Sequence, residues 1–197
     1  MYQEYFHLKS NSMKREKIIF SITGLFMMVI LLSYNFGAVF KTSTGKVSFF
    51  SETPAMNIEA NSQVLNSIIN PENNNLAFTV QNTSFRFKNA LMEEHFNEKY
   101  MESDKYPRSS FSGKINEQID LRKDGVYKVT STGKLLIHGV EQVRTISGDL
   151  TILKGRLHLK CIFMVKLVDH KIEVPTLVFE KIAEEIKVTV DSDFTLL

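Results

Sequence analysis

Apolar and polar positions alternate through most of the chain downstream of residue 45. The clearest run is "RLHLKCIFMVKLV", Arg156 to Val168, where Leu157, Leu159, Cys161, Phe163, Val165 and Leu167 fall on one face of a strand. The other face, with His158, Lys160, Ile162, Met164 and Lys166, is mixed, and is expected to meet another layer, a partner or the chain's own loops. Ile186, Val188 and Val190 alternate with Lys187, Thr189 and Asp191 in a closing strand. Further strands are predicted at 45–52, 59–69, 76–87, 109–115, 125–140 and 143–153, with turn chemistry in "NPENNN" (70–75), "KDG" (123–125), "STG" (131–133) and "KG" (154–155). The Lys154-Gly155 hairpin is the firmest local expectation. Strands at short, regular intervals predict an all-β antiparallel sandwich or barrel.

One segment breaks the alternation. In "LMEEHFNEKYMESDKYP" (91–107), Leu91, Met92, His95 and Phe96 recur at helical spacing, with Glu93, Glu94 and Glu98 on the wetter sides. Pro107 cannot continue a helix and turns Tyr106 toward an extended conformation. A short amphipathic helix at about 88–101 is therefore expected, closing or flanking the sheet structure.

The first forty residues read differently. "MKREK" (13–17) precedes "IIFSITGLFMMVILLSYNFGAVF", which carries no charge until Lys41. A basic head before an apolar run is the pattern of an export signal, and Ile18 to Leu32 has the length of a signal's apolar region rather than of a bilayer span. The expectation is a signal peptide or anchor over 1–40, its start at Met13 and cleavage near Gly37 or Ala38, followed by one domain over 41–197. That places the domain in the periplasm or outside the cell, with an inner-membrane anchor as the alternative.

Charge and chemistry narrow the function. The chain has 24 basic and 22 acidic residues; four of the former and two of the latter lie before position 18, leaving a neutral body of twenty each. With no basic block, nucleic acid is not expected as a partner. Cys161, the single cysteine, cannot form an internal disulfide, and its mid-strand setting predicts a buried, inert thiol. The five histidines form no metal-ligand spacing such as HExxH; His138 is expected as a satisfied strand histidine before a turn, and His95 to share a surface helical face with Glu98. Carboxylate pairs such as Glu93–Glu94 and Glu184–Glu185 are adjacent, so their side chains point apart. No phosphate loop, GxSxG or Cys–His arrangement is present, so neither an enzyme nor a cofactor or metal is expected. Fifteen phenylalanines against no tryptophan suit an apolar interior, but a barrel of about eight strands is either filled by side chains or hollow enough for one ligand.

The block "LMEEHFNEKYMESDKYPRSSFSGKI" (91–115), with "GKLLIHGV" (133–140), "FFSETPAMNIEA" (49–60) and "FRFKNALM" (85–92), resembles the YceI-like family of exported, lipocalin-like proteins, in the form with "HFNE" familiar from Bacteroidetes-type bacteria. The motif is carried by His95, Phe96, Tyr100, Ser103, Tyr106, Pro107, Phe111 and Gly113, and the similarity runs from about Lys46 to the C-terminus. "EQVRTISG" (141–148) departs from the family's usual continuation after "IHGV". The resemblance implies an eight-stranded antiparallel barrel around an apolar pore that holds a polyisoprenoid chain or an isoprenoid quinone, and it carries no catalytic residues over. On that basis the residues expected to line a lipid site are Phe49, Phe78, Val80, Phe85, Phe87, Leu91, Met92, Phe96, Met101, Phe111, Leu159, Phe163 and Leu167, with Met92, Met101 and Met164 suited to an irregular ligand. A filled barrel acting as a ligand-free envelope or stress-related interaction module is the alternative, and a homodimer stays open.

Overall fold

The computed structural model describes residues 39–175 and 182–196; the expected signal or anchor lies outside them. Nine strand segments form one antiparallel sheet: β1 (Phe40–Glu52), β2 (Asn57–Asn70), β3 (Asn75–Gln81), β4 (Arg86–Phe87), β5 (Arg108–Ile115), β6 (Gly125–Ile137), β7 (Val140–Leu153), β8 (Arg156–Lys166) and β9 (Glu185–Leu196). Pairing of β1 with both β9 and β2 closes the sheet into a barrel of eight strands, with β4 a two-residue extension against β2. Closure pairs most strand edges that would otherwise invite aggregation.

Both tight hairpins are two-residue turns with two positive φ values, the twist that matches flanking antiparallel strands. Lys154 and Gly155 (φ 50° and 75°) join β7 to β8 as expected, and His138 and Gly139 (φ 50° and 71°) join β6 to β7. The expected turn at Ser131–Gly133 is instead strand. Gly133 pairs with Gly113, and a Cβ on Gly133 would fall 2.2 Å from the Ser112 carbonyl oxygen. The glycines permit two strands to approach, rather than the chain to turn.

The expected strand 76–87 also divides. Asn82 leaves the ladder because its polar groups are taken by the strand that returns after the helix. Its N–H donates to the Pro107 carbonyl (2.9 Å), its Nδ2 to the Tyr106 carbonyl (2.6 Å), and its Oδ1 accepts from Ser109 Oγ (2.8 Å). The helix follows as α1 (Ala90–His95), capped by Asn89 Oδ1 accepting from the Leu91 N–H at 2.8 Å. It then widens into a π-turn over Phe96–Tyr100 rather than running on as α-helix, closed by Met101 N–H donating to the Phe96 carbonyl. Asn97 fixes this ending, donating to the Glu93 carbonyl and accepting from Ser103 Oγ.

The barrel is not filled evenly. At the end formed by the 70–75 and 154–155 turns, Ile152, Leu157 and Phe194 pair in one row and are about 1% exposed, with Ile69 and Leu150 packed equally tightly. At the other end lie α1, the 138–139 hairpin and the connection after β8. There the wall opens. β7 pairs with β8 only from Gly148 to Leu153, so Val140–Ser147 and Ile162–Lys166 are not paired with each other. Residues 168–170, a 3-10 turn, sit against β7 instead, with Gln142 Nε2 donating to the Asp169 carbonyl and Arg144 facing Asp169 Oδ2 at 3.4 Å. On the outer face of β8, Ile162 and Met164 are 55% and 46% exposed, so among the described residues no layer covers them. Met164 therefore points away from the interior, a correction that follows from its even position beside Ile162.

Candidate functional site

The open half of the barrel encloses a cavity of about 430 Å³, in the range of roughly 300–1,000 Å³ typical of small-molecule sites. Its wall comes from both the sheet and the helix segment. All thirteen residues expected to line a lipid site border it: Phe49, Phe78, Val80, Phe85, Phe87, Leu91, Met92, Phe96, Met101, Phe111, Leu159, Phe163 and Leu167. Leu91 is more than half exposed and stands at the rim, while Met101 is buried.

Four phenylalanines hold the helix over the barrel end. Phe96 from the π-turn meets Phe49 (β1), Phe85 and Phe87 with ring centroids 5.3, 5.6 and 5.2 Å away, and Phe49 lies 5.3 and 5.6 Å from Phe85 and Phe87. These distances are those of favourable stacked and edge-to-face aromatic pairs. Glu93 pins the same corner, its Oε1 accepting from Arg86 Nη1 (2.9 Å) and its Oε2 from the Phe87 N–H (3.2 Å).

Sequence patterning did not single out the residues that make the space. Val129, Gly148, Cys161, Val190 and Val47 form a single hydrogen-bonded row across β6, β7, β8, β9 and β1, and every one borders the cavity. Small side chains at five successive positions of one row leave the interior hollow there, whereas the Ile152–Leu157–Phe194 row fills it. The alternation of β8 does mark Cys161 and Val165 as inward, and both line the cavity. Burial raises the Cys161 thiol to about 12, so it is a packing group and not a nucleophile near neutral pH. The Ser131 hydroxyl, buried on the wall, has no hydrogen-bond partner among the described residues.

The histidines take two settings. His95 lines the cavity and faces Lys99 Nζ at 3.3 Å rather than Glu98. His138 is satisfied, as expected, but as a turn residue that ties three segments together: Nε2 lies 2.8 Å from Glu102 Oε2, Nδ1 donates to the His170 carbonyl at 3.1 Å, and Tyr106 packs edge-on at 4.7 Å. A Cβ on Gly139 would strike the Tyr106 ring at 2.4 Å, so this turn needs glycine for contact as well as for its φ. His170 is fully buried behind the unpaired stretch of β7, its Nδ1 donating to the Val140 carbonyl at 3.1 Å. Burial lowers its pKa below the ordinary histidine value, with the Val140 bond opposing and Arg144 adding to the shift.

That direction sets a pH dependence. The native state takes up the His170 proton less readily than the unfolded chain does, so stability rises with pH wherever the unfolded state binds more protons. The contribution is complete above the ordinary histidine pKa of about 6.5 and is lost as pH falls toward the lowered native value. Thermal midpoints are expected to drop on acidification below about pH 6.5. His170→Asn, which retains a donor for Val140, should flatten that slope; an unchanged slope would remove His170 as its source.

The family model for the YceI-like domain matches residues 13–194. The chain belongs to the YceI-like family. Its fold is similar to that of a polyisoprenoid-binding domain from Saccharophagus degradans implicated in plant cell wall breakdown, at 15% identity and TM-score 0.67, covering 82% of this chain and 99% of that one. BcnA of Burkholderia cenocepacia aligns at 15% identity and TM-score 0.64 over 77% of this chain and 96% of that one. The Campylobacter jejuni YCEI protein aligns at 19% identity and TM-score 0.54 over 68% and 82%. No curated protein matches the chain. The YceI-like eight-stranded barrel expected from the 49–60, 85–115 and 133–140 blocks is thus present, with its short helical segment.

Proposed function

We propose that this YceI-like protein sequesters or carries a long apolar chain, polyisoprenoid-like or an isoprenoid quinone, in the open half of its barrel, as a binding protein and not an enzyme. The observation that carries the proposal is the cavity of about 430 Å³ walled by aliphatic and phenylalanine side chains under an aromatic lid. Each methylene transferred from water into such a space contributes roughly 0.8 kcal/mol, so several isoprene units bind without any hydrogen bond. The polyisoprenoid-binding description of the S. degradans domain supports the same class of ligand. The ligand-free alternative requires a barrel filled throughout, and the small residues of the Val129–Val47 row speak against it. The basic head and apolar run before Lys41 favour action outside the cytoplasm, in the periplasm or as a secreted protein.

Organic extraction of protein purified from its native host, followed by mass spectrometry, is expected to release a long-chain isoprenoid. The stripped protein should reload with a polyprenol added in detergent. Recovery of no lipid, together with failure to load any, would overturn the reading.

A further inference from the structure

One polar group on the cavity wall stands without a partner. Ser131 is 4% exposed, and its Oγ makes no hydrogen bond among the described residues. A buried hydroxyl left unpaired costs free energy that a partner restores. Two other serines of the same wall are engaged: Ser51 Oγ accepts from the Ala183 N–H and Ser109 Oγ donates to Asn82 Oδ1, both at 2.8 Å. The residues opposite Ser131 are Ile115 on β5 and Ile146 on β7, which offer apolar side chains. Buried water is held by two or more polar groups, so this setting suits an oxygen brought by the ligand better than a water. Depth decides which part of the ligand brings it. Ser131 stands toward the closed end: the Ile115 N–H beside it donates to the Asn74 carbonyl of the 70–75 turn at 2.9 Å, while Leu135 and Ile137 border the cavity nearer the mouth. The next inward residue toward the closed end, Val129, belongs to the hollow row.

Resting on the carrier reading, we propose that the bound chain lies head inward. An uncharged head bearing a hydroxyl or carbonyl occupies the hollow row with its oxygen on Ser131 Oγ, and the tail runs outward to the helix end. A serine hydroxyl both donates and accepts, so it pairs with either oxygen. A ring-bearing head is broader than an isoprene chain, and it is seated where Val129, Gly148 and Cys161 project least. Among the described residues that border the cavity there is no Lys, Arg, Asp or Glu. A phosphate carried to that depth would be a buried charge without a counter-charge, which costs more than one hydrogen bond returns. A phosphorylated chain therefore binds tail inward, with its head out of reach of Ser131.

The test uses four probes of matched tail length on the full chain: a polyprenol, an isoprenoid quinone, a polyprenyl monophosphate and the corresponding hydrocarbon. Ser131→Ala is expected to weaken the polyprenol and the quinone by about three- to tenfold, the worth of one hydrogen bond. The monophosphate and the hydrocarbon should bind the variant as they bind the wild type. The substitution removes no internal bond, so the denaturation midpoint should match that of the wild type. In the wild-type protein the infrared carbonyl stretch of the quinone should move to lower frequency on binding, and Ser131→Ala should reverse that shift. Equal weakening of all four probes, or a lowered midpoint, would assign Ser131 to packing and overturn the head-inward site. Unchanged affinity for polyprenol and quinone, with no carbonyl shift in the wild type, overturns it and leaves the carrier reading intact. Failure of every probe to bind, the hydrocarbon included, overturns both.

Discussion

Gly133→Ala is expected to destabilise the barrel by about 3 kcal/mol, the upper part of the range for overpacking. The methyl group would sit 2.2 Å from the Ser112 carbonyl oxygen and 2.4 Å from the Gly113 Cα, and backbone atoms, unlike a flexible side chain, cannot turn away. Relief requires β5 and β6 to part where Gly113 and Gly133 pair, breaking ladder bonds in the middle of the wall. Urea denaturation at constant m value reads the loss as a shift in midpoint. Gly155→Asn is the control: nothing lies within 4 Å of its Cβ, and asparagine tolerates the positive φ of that turn, so little change is expected. A tolerated Gly133→Ala would mean that the two strands adjust freely at this crossing.

This glycine also marks where sequence reading stops. "STG" is turn chemistry taken alone, and only the partner strand, twenty residues earlier, makes it a close crossing. The same non-local cause divides residues 76–87. Asn82 could continue a strand until Tyr106, Pro107 and Ser109 claim its polar groups. Local rules served where the cause was local: the alternation of β8, the Lys154-Gly155 hairpin and the amphipathic spacing of Leu91, Met92, His95 and Phe96 all appear where the pattern places them. The thirteen residues that the resemblance set on the wall of a lipid site all border the cavity, though alternation and spacing alone did not pick them out. Emptiness has no local signal. It arises from register, which aligns Val47, Val129, Gly148, Cys161 and Val190 from five strands spread over more than 140 positions. Composition, with its fifteen phenylalanines, pointed equally to a filled core.

That row yields the second large effect. In the double variant Cys161→Phe/Val129→Phe, two benzyl groups enter space that a bound chain would otherwise occupy. Both positions face the cavity from neighbouring places in one row, with Gly148 between them, so the rings are accommodated by empty volume rather than forced against packed neighbours. The fold should hold, with a denaturation midpoint equal to or above that of the wild type, since filling a cavity restores contacts. Binding should not. If each ring displaces one or two methylenes, the loss is roughly 0.8–1.6 kcal/mol per ring, and the pair together weakens a polyprenol by roughly tenfold to two-hundredfold. Cys161→Val, which adds little bulk, should bind normally and rules out a role for the thiol itself. The measurement is a titration of stripped protein with a fixed polyprenol, run beside a denaturation curve for each variant. A correctly folded double variant that still binds with wild-type affinity would mean that the chain lies elsewhere, on the outer face of the barrel or under the helix alone. The hollow row would then be a packing defect with no ligand to fill it.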